Sequence, residues 1–382
     1  MLGIRIHNKK VRRWLIVGML GLIVLAVSGC NTLNFYRQAA VGEYHILSSE
    51  RPVEKVLKDP KTSPRLKERL ELVQQFRAFA EHELKLPVDG QYLKYADLHR
   101  PFVVWNVEAA REFSLEPRSW WYPLVGSLEY RGFFSEPAAQ KYGATLKKKG
   151  YDVYVAGVEA YSTLGWFKDP LLNTFIFNRD ADLAETLFHE LGHQRVFARG
   201  DEDFNEAFAT TVGQEGATRW LKQKGNQDAL DQYREELKRN DQFVHLIMRT
   251  RDQLIALYGD KRTPEGKLKA THPERRMGAN ELRAKKKAIF DAFQQEYLRL
   301  KQSWGGSKEY DEWFNRNVNN AQLNSVAAYY DLLPGFQRIL ELNGGDLEKF
   351  YVESERLSKL TRKERQQWLR TLATRDGKAT GR

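Results

Sequence analysis

His189-Glu190-Leu191-Gly192-His193 sets two imidazoles and a carboxylate at a spacing that suits one kind of chemistry. Residues four apart on a helix lie one turn above each other on the same face. His189 and His193 can therefore aim two ring nitrogens at one Zn²⁺ ion, and Glu190 can take a proton from a water that the ion activates. A catalytic zinc also needs a third protein ligand and an open position. Arg195 to Gly200 supplies no third histidine. Beyond a short loop at Gly200, Asp201 or Asp203 can cap a second helix that carries Glu206 in its first turns. Ala209 and Gly213 on that helix, and Gly192 on the first, are small enough to let the two approach closely. The expected ligands are His189, His193 and Glu206, with Glu202 and Glu215 as rivals for the third place.

Other residues could serve the same chemistry. Glu185 lies one turn before His189 and could accept the imidazole's other N–H, or could form a capping box with Asp182. In peptide hydrolysis Glu190 would pass its proton to the leaving amine. The tetrahedral oxyanion needs a further donor, for which Tyr161, Tyr329 and Tyr330 are candidates.

These side chains need a scaffold. Asp180 to Arg199 reads as the motif helix, and positions 53–86 as a helical segment ended by the turn residues Leu86 to Gly90. Phe102 to Val107, Leu124 to Phe134 and Tyr151 to Val158 are β-branched, aromatic or alternating, and read as strands, with a helix over Pro137 to Lys149. A small mixed or antiparallel sheet within about residues 100–180, packed on the motif helix, follows. Ala160 to Asp169 has the hydroxyls and aromatics of an edge strand or loop that could pair with an extended peptide. After the active-site helices (181–225) the chain is helical, notably over Asp231 to Tyr258 and Asn280 to Trp304. His245 and His272 in this part read as satisfied surface or core residues. The last twenty-one residues hold seven basic and two acidic side chains and read as a solvated or frayed tail. The fold class expected is helix-rich α+β, with one domain over 53–382 whose helical C-terminal part is 226–382.

Residues 1–29 read as a signal peptide, with a basic start and a 14-residue apolar run from Trp14 to Val27 that is short for a membrane span. Val27-Ser28-Gly29-Cys30 then resembles the lipobox of bacterial lipoproteins, and Cys30 is the chain's one cysteine. Lipidation of Cys30 would remove the liability of an unpaired exported thiol. Residues 30–52 would form the lipid-anchored tether, facing the periplasm, and Asn31 favours the outer over the inner membrane. The formal charge of +11 counts five bases in this leader; without them 56 basic and 50 acidic side chains remain, giving +6. No basic stripe interleaved with aromatics points to nucleic acid.

Asn205-Glu206-Ala207 after HELGH resembles the second motif of gluzincins, the thermolysin-like zinc peptidases. That likeness implies a zincin-like core, although only twelve residues separate His193 from Glu206 here. The lipobox, Trp105-Asn106-Val107, Tyr130-Arg131-Gly132, Ala160 to Phe167 with Asp169-Pro170, HELGH, and Phe204 to Thr210 together resemble the bacterial "putative aminopeptidase" lipoprotein family. The resemblance implies a zinc-dependent aminopeptidase acting on peptide or protein substrates. Such an enzyme needs an acidic group for the substrate's free amine, and Glu129, Glu159 or Asp169 could provide it. An envelope endopeptidase or processing protease is the alternative enzyme. A non-catalytic zinc lipoprotein that binds partner peptides is the alternative of another class, and Glu190 argues against it.

Overall fold

Two helices that meet through glycines form the centre of the fold. The computed structural model describes residues 35–122, 126–160, 168–263 and 266–374. The leader, Cys30, Tyr161 and most of the Ala160 to Asp169 segment therefore lie outside the described residues. The chain divides into two compact units, Met1–Ser49 and Glu50–Arg382. In the first, residues 35–49 are helical, within the span assigned above to the tether. No helix among the described residues is long and apolar enough to cross a membrane.

The second unit is a helix-rich α+β assembly. In chain order it runs β1 (Arg51–Pro52), α1 (Val53–Lys58), α2 (Pro64–His82), β2 (Lys94–Ala96), β3 (Val104–Arg111), β4 (Trp120–Tyr122), β5 (Gly126–Leu128) and β6 (Tyr130–Phe133). It continues with α3 (Glu136–Lys147), β7 (Tyr151–Val158), β8 (Leu171–Leu172), α4 (Asp180–Arg195), α5 (Glu202–Lys224) and α6 (Gln227–Tyr258). The last part holds β9 (Lys261–Arg262), β10 (Leu268–Lys269), α7 (Ala279–Ser303), α8 (Asp311–Phe314), α9 (Asn320–Tyr330), α10 (Leu333–Leu342), α11 (Leu347–Ser358) and α12 (Arg362–Thr374).

The motif helix α4 stops at Arg195, one turn short of the expected end, and packs most extensively on α5. A Cβ at Gly213 would stand 2.8 Å from the carbonyl oxygen of Glu185, and one at Gly216 would stand 2.6 Å from the Phe188 ring. Only glycine fits there, because the first obstacle is rigid backbone. Behind α4, the rings of Phe76 and Phe188 meet edge-on at 5.9 Å and those of Phe76 and Trp220 at 4.8 Å. On the far side of α5, Phe204 meets Phe336 at 4.9 Å and Phe208 stacks on Phe350 at 5.5 Å. Each such ring buried contributes roughly 1.5–3 kcal/mol, so both flanks of α5 are fixed by packing.

The larger sheet has the order β6-β3-β7 and is wholly antiparallel, with Asn106 opposite Gly132 and Ala156, and Glu108 opposite Tyr130 and Tyr154. Strand alternation gives it two faces. Trp105, Val107 and Ala109 are buried, and Val107 and Val153 approach Gly143 of α3. Val104, Asn106 and Glu108 point the other way. A second sheet, β1-β2-β8, is mixed, its β2 and β8 pairing in parallel. One expectation is corrected here: the larger sheet does not lie chiefly on the motif helix. Its main helical partners are α3 and α9, and its polar face looks across a cavity toward α4.

Helix α9 owes its placement to polar bonds. Asn319 caps it through the backbone N–H of Gln322 at 3.1 Å. The fully buried Asn320 shares its amide N–H groups among the carbonyls of Arg111, Glu112 and Ser114 at 3.0–3.1 Å, and its backbone N–H donates to Asp152. The C-terminal charge run is corrected as well. Residues 362–374 form α12, and Arg362, Arg365 and Arg370 turn inward to Asp203, Asp201 and Asp331.

Candidate active site

The hairpin of α4 and α5 brings three donors to one point. Nε2 of His189 and Nε2 of His193 lie 3.1 Å apart. The Glu206 carboxylate reaches them from α5, Oε2 standing 3.3 Å from His189 and Oε1 3.6 Å from His193. Four ligands about 2.0–2.1 Å from one tetrahedral ion are spaced by about 3.3 Å, so the separations fit a single ion of that size. Two imidazoles and one carboxylate are also a catalytic zinc donor set. His189, His193 and Glu206 form a group that could hold a metal ion. Of the rivals, Glu215 is bonded to Arg219 at 2.6 Å. Glu202 lines the same cavity but stands apart from the three.

The loop between the helices is held from two sides. Asn205, next to the third donor, accepts the N–H of Ala198 at 2.7 Å and donates to its carbonyl at 3.0 Å. From α12, Gln366 donates to Asp201 at 2.9 Å, and Arg362 donates to Asp203 at 2.8 Å and to the Gly200 carbonyl at 3.1 Å. Asp201 is therefore not the side-chain cap expected of it; it is fully buried and occupied by α12. Glu185 is also placed differently from either expectation. It accepts the Tyr233 hydroxyl at 2.7 Å from α6 and acts on His189 through its charge.

The site's electrostatics follow from burial. Burial alone would lower the His189 imidazole, but its bond to Glu206 and the nearby carboxylates outweigh this and raise it. Burial pushes His193 down to about 4 against the pull of Glu206, so its ring stays neutral and able to ligate. Glu206 shows the reverse balance: burial raises its carboxyl, but the two imidazoles outweigh it and leave the group below its usual range. Glu190 is nine-tenths buried, and burial, with Glu206 and Asp169 adding to it, lifts its carboxyl to about 7. That is close to what a general base at neutral pH requires.

A cavity of about 410 Å³ opens beside this group and is walled by the polar face of the sheet, by α5 and by α9. Tyr329 of α9 lines it, with its ring centroid 6.3 Å from that of His189. The Glu206 carboxylate, then burial, raise the Tyr329 hydroxyl well above its ordinary value, so it remains a donor. Tyr330, the neighbouring candidate, is not brought to the site; its hydroxyl accepts from Asn240 of α6 at 3.0 Å. Successive helix residues diverge by 100°, which separates the two tyrosines.

Glu129 lines the cavity. Glu159 instead accepts from Asn178 at 2.8 Å, and Asp169 is buried and acts on Glu190 through its charge. Two further carboxylates, Glu108 and Glu202, share the wall with Glu129. Burial and then Glu129 raise Glu108 to about 8; burial and then Asp203 raise Glu129 to about 7; burial and then Glu129 hold Glu202 well above its usual range. Glu108 had a signal that sequence reading passed over. In Trp105-Asn106-Val107-Glu108 the polar side chains alternate with buried ones, which puts Asn106 and Glu108 on one face.

Residues 34–369 match the model of the family described as "Putative aminopeptidase". The chain belongs to that family. No curated protein and no solved structure matches it. The family's description suggests peptide hydrolysis, and the three converging donors lie within the matched span.

Proposed function

We propose that this chain is a zinc-dependent aminopeptidase with a zincin-like core of the gluzincin type. The observation that carries the reading is the convergence of His189, His193 and Glu206 beside a buried Glu190, in a cavity whose wall bears Glu129. Zinc held by the three donors would supply Lewis acidity to a water and to the scissile carbonyl. Glu190 accepts the proton from the attacking water and delivers it to the leaving amine. The Tyr329 hydroxyl donates to the oxygen that gains negative charge. Glu129 receives the substrate's α-ammonium and so sets the cut one residue from the N-terminus. A purely structural metal site would fill its fourth position with protein and have no use for Glu190.

Two measurements test this together. Zinc stoichiometry of the isolated protein should be near one per chain, and peptides with a free N-terminus should be cleaved while their acetylated counterparts are not. Equal cleavage of both would sink the aminopeptidase assignment and leave an endopeptidase.

The leader adds a location. We infer that residues 1–29 are removed as a signal peptide and that Cys30 carries lipid, tethering the enzyme on the periplasmic side, in the outer membrane. Cys30→Ser should move the protein from the membrane fraction to the soluble one; continued membrane attachment would refute the anchor.

A further inference from the structure

We propose that the cavity selects a substrate whose N-terminal residue is lysine or arginine, with Glu108 and Glu202 receiving the side-chain cation. The proposal rests on the aminopeptidase reading and specifies its substrate class. Besides Glu190, Glu206 and Asp201, the last bonded to Gln366, the cavity is lined by Glu108, Glu129 and Glu202, whereas an α-ammonium brings one charge. Glu129 has cations on its other side, since it also lines a small second cavity with Arg251, Arg262, Lys267 and Arg362. Glu108 and Glu202 have no ion-pair partner among the described residues. Glu202 accepts the backbone N–H of Glu129 at 3.5 Å, which sets its carboxyl beside that residue. Glu202 is also one turn ahead of Glu206 on α5, on the same face of that helix.

Two observations independent of the acidic trio also call for a donor-rich ligand. The side-chain oxygen of Asn106, on the same face of β3 as Glu108, is buried without a hydrogen-bond partner. Glu190 is nine-tenths buried, opens into the same cavity and has no bonded partner among the described residues. An ammonium offers three N–H groups and a guanidinium five, all donors. Val104, Leu128, Val158 and Ala321 line the same cavity, and apolar lining suits the methylene stem of such a side chain. A neutral N-terminal residue would leave both carboxyl groups without an ionic partner, whereas a cation placed beside them favours their ionised form.

The test compares aminoacyl amides of lysine, arginine, leucine and norleucine, the last matching the lysine stem without its charge. The zinc-loaded enzyme should prefer lysine over norleucine in kcat/KM by at least about tenfold. In Glu108→Gln and Glu202→Gln that ratio should fall toward one, chiefly through KM. Calorimetric binding of lysinamide and norleucinamide to the intact protein supplies a readout that needs no turnover, and lysinamide should bind more tightly by a similar factor. A ratio near one in the parent enzyme, or a high ratio that neither substitution lowers, overturns the proposal. Cleavage of free-amine substrates without the basic preference would do so while leaving the aminopeptidase reading standing. No cleavage of any free-amine substrate overturns both.

Discussion

Glu190→Gln is expected to retain zinc and fold while losing roughly 10²–10⁴ of the hydrolytic rate, the range over which a positioned general base contributes. The substitution keeps the side chain's shape in a site that is nine-tenths buried, so packing is undisturbed. It also replaces a carboxyl whose ionisation burial opposes with a neutral amide, so stability should not fall. The three donors are left intact, and metal content separates loss of the base from loss of the ion. Glu206→Ala should show the complementary pattern, with zinc lost along with activity. Turnover in Glu190→Gln within tenfold of the parent would defeat the role given to this residue.

The second large effect is on stability and its pH dependence. Burial lifts the Glu108 carboxyl to about 8, far above its value in an unfolded chain. Between about pH 4.5 and pH 8 the folded protein therefore binds a proton that the unfolded chain has released. Stability must fall as pH rises through that window and level off above it, where both states are ionised. At 1.36 kcal/mol per unit, and discounted for the water that reaches the cavity, the penalty is about 2–4 kcal/mol at pH 9. Glu108→Gln should recover that amount in the metal-free protein and flatten part of the slope. Burial also lifts Glu129 and Glu190 to about 7 and holds Glu202 well above its usual range, so a fall should persist in the variant. Urea denaturation of both proteins between pH 4.5 and pH 9 measures this. Identical slopes would mean that Glu108 is already solvated.

The two readings differ in what sequence can convey. The convergence of the three candidate metal donors was legible because their arrangement is local: four-residue spacing on one helix, and a hairpin short enough to fold back on itself. The small residues at Gly192, Ala209 and Gly213 declared how closely the two helices would pack. Tyr329 and Tyr330 could not be told apart, because the rotation of α9 is set by Asn320 bonding to carbonyls some two hundred residues away. Glu108 was likewise hidden. Alternation reveals which face of β3 it occupies, but not that this face looks onto α4 and α5. The C-terminal basic run misled for the same reason: Arg362, Arg365 and Arg370 look solvated until their acidic partners on distant elements are known.

The hold of α12 on the loop before Glu206 also ties the centre to the order in which the chain is made. His189 and His193 are made about 170 residues before Arg362 and Gln366, which brace Gly200, Asp201 and Asp203. Contacts of such sequence separation form late and slowly. The loop before the third candidate donor is thus braced only after Gln366 has been made. A chain interrupted between Glu206 and Arg362 would carry the motif and its third candidate donor without this bracing.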